Sequence, residues 1–247
     1  MFNIDKKYMY VILAIFVIMG LVEYANNPSA LLALVLSLPG VIIAITFHEY
    51  AHAWMADKLG DDTPKMQGRL TLNPLAHIDI WGFVMLIFAH FGWGKPVEIN
   101  PRNFRRDKDM SAQEAMVAIA GPTMNILLAI IFMIIMCIIY KFAAAFILTT
   151  VGYIIIIILQ MTVVVNVGLG IFNLIPLPPL DGSKVLMHFL PYDAKNWFIE
   201  RQNIFYIIFL IIWITGIAGN IVSPVINGVY NGMSWLIASK IFGISLL

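Results

Sequence analysis

Apolar residues along this chain are gathered into long runs, at about 8–25, 30–57, 111–140, 148–172, 203–221 and 224–246. Each run meets or approaches the ~20 residues that a helix needs to cross a hydrocarbon core. None shows the roughly ten-residue alternation of an outer-membrane barrel strand. Helices satisfy their own backbone groups in lipid. The pattern therefore predicts an all-α polytopic membrane protein with about six transmembrane helices. Ile80 to Phe91 is apolar but too short to span, which predicts a re-entrant or interfacial element between the second and third spans. The loop from Lys58 to Asp109 carries turn signals at "GDDTP", "LNP", "GWGKP" and "INPRN". Its dispersed apolar residues, as in "GRLTLNPL" and "KPVEIN", suit a short hairpin or sheet edge at the membrane surface. No repeat or linker divides the chain. Residues 1–247 read as a single integral membrane domain.

Composition agrees. Hydrophobic residues make up 61% of the 247 and charged residues 12%, roughly half the charge of a soluble domain. Mean hydropathy is +0.88. A net charge of +1 points to no nucleic-acid or acidic partner. The single cysteine, Cys137, lies in "IIFMIIMCIIY", where a buried apolar role is expected and no intramolecular disulfide can form. The first apolar run leads into "EYANN" with no small-residue cleavage site, so it is expected to be retained as a span. Threading six spans places every Lys and Arg except Lys141, 14 of the 15, on one side. The positive-inside bias then predicts cytoplasmic termini in a multi-pass protein of the cell membrane.

Against this apolar background, "HEYAH" stands out: His48, Glu49 and His52 within one run. Positions four apart share a helix face, so both imidazoles can reach one metal ion. Two imidazoles and an added carboxylate make a three-ligand catalytic zinc site with an open fourth position, and Glu49 is placed to take a proton from bound water. Ionisable groups at membrane depth are expensive unless paired or coordinated, which favours the metal over chance. Asp181 in "NLIPLPPLDGSK" has two readings. It is the third ligand, carried by a helix that Pro176, Pro178 and Pro179 interrupt, or it caps the helix after an ordinary surface turn.

The two segments together resemble the site-2 protease family of intramembrane zinc metalloproteases. "HEYAH" matches its H-E-x-x-H motif, and "NLIPLPPLDG" matches its N-x-x-P-x-P-x-x-x-D-G motif with an additional proline at 179. "GDDTPKMQGRLTLNPLAHID", "GWGKPVEINP" and "AGPTMN" are similar to a compact bacterial and archaeal branch of that family, although "HIDIW" departs from its usual H-I-D-P. The resemblance runs from about His48 to Gly182. It implies a protease whose catalytic core covers about 30–190, one zinc ion held by His48, His52 and Asp181, Glu49 as general base, and Asn173 as stabiliser of the scissile carbonyl oxygen. It implies a substrate with a transmembrane segment, cut in the lipid bilayer. With 247 residues the chain is expected to lack PDZ and CBS domains. His52 lies five residues before Asp57, which at ~1.5 Å per residue sets the site within roughly 10–15 Å of the cytoplasmic helix end.

Other polar residues carry humbler expectations. His77 is expected to brace its loop, and His90 either lines the site entrance or is structural. Asn125, Gln160 and Asn166 suit interhelical hydrogen bonds. Asn166, seven positions before Asn173, is also placed to support the site from one helix face. Gly121 and Pro122 are expected to kink a helix or start a tightly packed turn. "GWGKPVEIN" is either an edge that an unwound substrate segment joins as a strand or a basic loop meeting anionic headgroups. The competing functions are a membrane zinc transporter or metal sensor, and a membrane hydrolase of lipid or another small amide. Nothing in the sequence marks a particular oligomeric state.

Overall fold

A computed structural model describes residues 6–89, 92–215 and 217–245. His90 and Phe91 lie outside the described residues. The regular elements of the described residues are helices: α1 (Lys6–Asn26), α2 (Pro28–Lys58), α3 (Thr63–Met66), α4 (Ile80–Ala89), α5 (Met110–Phe142), α6 (Ala144–Ile147), α7 (Thr150–Asn173), α8 (Asp181–Phe189), α9 (Tyr192–Glu200), α10 (Gln202–Ile214) and α11 (Ile217–Ser234). A π-helical segment, Trp235–Phe242, continues α11.

Among the described residues three helices, α2, α5 and α7, are long and apolar enough to cross a membrane. Their starts follow from local chemistry. Pro28 opens α2, where a missing N–H costs nothing. The Asp109 carboxylate accepts from Ala112 N–H at 2.9 Å to start α5, and the Thr149 hydroxyl accepts from Gly152 N–H at 3.0 Å to start α7. The three pack against one another. α5 and α7 meet with Ala129, Met133 and Cys137 against Val163 and Val167, all small or medium-sized side chains, and the π segment adds Ile237 and Ala238. Close backbone approach of this kind drives helix association where lipid competes with apolar side chains. Cys137 is fully buried there, as its apolar setting predicts. Ile15, Ile18, Met19 and Leu21 of α1 and Leu32 and Val35 of α2 face outward, the distribution a lipid-facing surface requires.

The last two predicted spans are drawn differently. α10 ends at Ile214, and α11 begins at Ile217 and continues through the π-helical segment to Phe242. α10 has 13 residues, short for a span. α4, with 10 residues, is likewise too short to cross. α1 packs mainly on α4, where a side chain at Gly20 would strike Phe88.

The long loop forms no strand among the described residues. An isolated antiparallel bridge joins Ile78 to Gly94. Elsewhere the loop is held by side chains. The buried Asp61 carboxylate accepts from Thr63 N–H at 3.1 Å, Thr63 Oγ1 at 2.6 Å, Asn100 N–H at 2.7 Å and Asn103 Nδ2 at 2.9 Å. Burial alone would raise its pKa, but these donors outweigh burial and hold the carboxyl below its ordinary value. Phe104 packs with Ala56, Leu59 and Val117, which seats the loop on α2 and α5.

Candidate metal centre

His48 and His52 lie one turn apart on the buried face of α2. Asp181 arrives from the far side. α7 ends at Asn173, residues 174–180 cross an irregular Pro-rich stretch, and α8 starts at Asp181. Gly182 makes the return possible, because a Cβ there would lie 2.6 Å from the Ile175 carbonyl oxygen and closer still to that of Leu174. The N-cap of α8 is Leu180. Asp181 is thus the first helical residue, and its side chain reaches the histidines. This removes the reading of Asp181 as a plain helix cap.

The three donor atoms converge. His48 Nε2 and His52 Nε2 are 3.0 Å apart, and Asp181 Oδ2 lies 3.1 Å from each. Ligands on a tetrahedral zinc at roughly 2.0–2.1 Å stand about 3.3 Å apart, close to this triangle. The hydrogen-bond pattern of the two rings suits a metal ion as well. His52 Nδ1 lies 2.7 Å from the Val117 carbonyl, which can only accept, so Nδ1 carries the hydrogen. His48 Nδ1 lies 2.7 Å from Asn125 Oδ1. The Asn125 amide nitrogen donates to Ala44 O at 3.0 Å and Asn166 Oδ1 at 3.1 Å, so Oδ1 is the acceptor and His48 Nδ1 also carries hydrogen. In the neutral rings both Nε2 atoms then turn their lone pairs toward each other and toward a carboxylate oxygen. Three donor atoms at this spacing suit a metal ion among them. The donor set, two imidazoles and a carboxylate, is that of catalytic zinc.

Gly121 completes the cradle. α5 passes so close to the site that a Cβ at 121 would lie 2.5 Å from His52 Nε2 and 2.7 Å from His48 Cε1. α5 continues through Pro122 without ending. The role of "GP" is this clearance, not a helix start. Asn125 and Asn166 serve as interhelical hydrogen bonds, and Asn125 also fixes the tautomer of His48. Gln160 of α7 lies near the Tyr230 phenol of α11.

Glu49 and Asn173 line the same cavity of about 390 Å³ as His48, His52 and Asp181. Glu49 Oε2 accepts from Val97 N–H at 3.0 Å. Asn173 Nδ2 donates to Leu169 O at 3.0 Å, one turn back on its own helix. His77 stays out of the site. It is fully buried, its Nε2 bonds Thr71 O at 2.8 Å, and its carbonyl accepts from Lys95 N–H at 2.7 Å. Burial lowers its pKa, and the nearby Arg69 charge adds to that lowering. It braces the loop as expected.

The sequence profile of "Peptidase family M50" matches residues 36–154 and 138–216. "Putative zinc metalloprotease YwhC" of Bacillus subtilis (strain 168) is 35% identical over 191 residues, covering 76% of this chain and 84% of that protein. "Putative zinc metalloprotease Rip2" of Mycolicibacterium smegmatis is 28% identical over 185 residues, 73% of this chain and 67% of the relative. Rip2 of Mycobacterium tuberculosis (strain H37Rv) is 27% identical over 207 residues, 82% and 73% of the two chains. No solved structure matches the chain significantly. The converging His48, His52 and Asp181, the apolar helices that carry them and these matches agree: the chain belongs to peptidase family M50, the site-2 protease family, and is a membrane zinc metalloprotease.

Proposed function

We propose that this protein is an intramembrane endopeptidase that cuts peptide bonds in or near the transmembrane segment of a membrane-protein substrate. The observation that carries this reading is the triangle of His48, His52 and Asp181 donor atoms at 3.0–3.1 Å in a cavity that also holds a carboxylate outside the triangle. His48, His52 and Asp181 would hold one zinc ion. Zinc bound there supplies a polarised scissile carbonyl and an acidified water. Glu49 takes the proton of that water and passes it to the leaving amine. Val97 N–H occupies Oε2 of Glu49, so Oε1 is the oxygen that handles the proton. Asn173 has a second amide hydrogen beyond the one given to Leu169, and it donates to the carbonyl oxygen as that oxygen gains charge.

The wider arrangement belongs to the same proposal. Residues 1–247 form one membrane domain with its catalytic core at about 30–190. Six spans place both termini in the cytoplasm of a cell-membrane protein, and α4 acts as a re-entrant element between the second and third. His52 lies six residues before the end of α2 at Lys58, about 9 Å at the helical rise, so cleavage falls towards the cytoplasmic side. A transporter needs successive ligand sites across the membrane. Among the described residues His48, His52 and Asp181 form the single group of this kind, which disfavours transport.

Purified protein in proteoliposomes tests the reading. The zinc-loaded protein should cut a co-reconstituted single-span substrate within or next to its span and carry no zinc across the bilayer. Zinc flux without cleavage would overturn it in favour of a transporter. Hydrolysis of lipid amide with intact protein substrates would overturn it in favour of a lipid hydrolase.

A further inference from the structure

Beside the catalytic cavity lies a buried arginine that peptide hydrolysis as described does not use. Arg69 is 5% exposed, and it forms no ion pair among the described residues. A guanidinium is not kept in such a place without a use for its planar fork of donors. The fork is spent on two backbone carbonyls: Nη1 donates to Ala76 O and Nη2 to Lys95 O. These carbonyls belong to two separate stretches of the long loop. Lys95 N–H donates to His77 O at 2.7 Å, so the stretches are tied together at the point Arg69 grips.

The consequence lies two residues on. Pro96 separates the Lys95 carbonyl from the Val97 amide. Peptide groups are planar, and proline fixes φ. Once the Lys95 carbonyl is clamped, the ψ torsion of Pro96 is the one soft angle left before the Val97 N–H. That N–H is the donor to Glu49 Oε2 at 3.0 Å. Gly94 lets the segment lie flat on α2, since a Cβ there would be 2.9 Å from Ile45 Cγ2 and 3.7 Å from Glu49 Oε1. The path from the guanidinium to the proton-transferring carboxylate is short and nearly rigid.

We propose that Arg69 is a positioning residue for peptide hydrolysis: by clamping the Lys95 carbonyl it aims the Val97 amide, and that amide holds Glu49 with one oxygen turned to the water. The proposal rests on the reading of Glu49 as the base. It assigns a role to the arginine in "GRLTLNP" that neither motif reveals.

The test uses the full-length protein in lipid nanodiscs, as parent, Arg69→Met and Arg69→Lys. Three quantities are read: kcat and KM on a single-span substrate, zinc affinity by chelator competition, and hydrogen exchange of the amides between Gly94 and Asn100. Misplacing a reacting group costs on the order of 100-fold, so Arg69→Met should lose about that in kcat, with KM and zinc affinity within about three-fold of the parent. Exchange at 94–100 should accelerate while α2 and α5 keep their protection. Arg69→Lys, which keeps the charge and loses the planar fork, should recover part of kcat and part of the protection. An unchanged kcat, unchanged exchange at 94–100, or joint loss of zinc and kcat would overturn the proposal. If Arg69→Met does not fold, Arg69→Lys decides: a kcat loss of about ten-fold or more with zinc retained supports positioning, and parental kcat refutes it. A parent that cleaves nothing defeats the endopeptidase reading, and the exchange arm still decides whether Arg69 orders the segment that holds Glu49.

Discussion

In the proposed zinc site His48 and His52 face the metal position through Nε2, and their other nitrogens hold the rings. Val117 O and Asn125 Oδ1 each accept a hydrogen bond from Nδ1, which leaves Nε2 as the ring nitrogen turned to the site on both rings. Asn125 is itself oriented by Ala44 and Asn166, so a chain of hydrogen bonds across three helices ends at a proposed metal ligand. Removing a group that orients a metal-bound histidine costs roughly 10–100-fold in affinity. Asn125→Ala should therefore weaken zinc binding by about that factor, measured by chelator competition, and parental affinity would show that the tautomer is set elsewhere. The histidines themselves were legible in the sequence, because four-residue spacing on a helix guarantees a shared face. Asn125 was legible only as a polar residue wanting a partner, since a contact across 77 positions leaves no mark in local spacing. The meaning of Gly121 was hidden for the same reason. It is defined by the missing side chain on a neighbouring helix, where the histidine rings now lie.

The element least like its expectation is the segment from Gly94 to Asn100. Its composition suggested a sheet edge, yet it pairs with a neighbour only at the Ile78–Gly94 bridge. The reason is how its backbone donors are used. Lys95, Val97 and Asn100 give their N–H groups to His77 O, Glu49 and Asp61. Three acceptors in three directions hold the chain extended without a ladder. This also changes how strand addition by a substrate is tested. Proline at 97 would release Glu49, so its effect would confuse two causes. Proline at 99 leaves the Glu49 contact alone. Ile99→Pro should slow cleavage of a helical transmembrane substrate much more than that of an already extended peptide, compared by kcat/KM. Equal slowing of both would count against strand addition. The Pro-rich break after α7, by contrast, was placed correctly by its prolines, because their effect on a helix is local and independent of packing.

The whole molecule is a bundle of α2, α5 and α7, with the metal centre at the meeting of all three and the start of α8 closing it. The all-α membrane class followed from the apolar runs alone. The last third was harder to read, since α10 ends at Ile214 and α11 begins at Ile217, both inside an apolar stretch that composition treats as one span. The proposed orientation has its own check. Cys137 is buried, so single cysteines introduced at Lys108 and Leu148 can be labelled cleanly in intact cells. A membrane-impermeant maleimide should reach position 148 and not position 108, and the opposite pattern would invert the topology. The central claim is that a zinc ion on His48, His52 and Asp181 works with Glu49 as the proton carrier. The most direct measurement is zinc content and cleavage of a single-span substrate, read on the same preparation of Glu49→Gln. One zinc per chain with no cleavage is the predicted result, and substantial proteolysis by that variant would contradict the account.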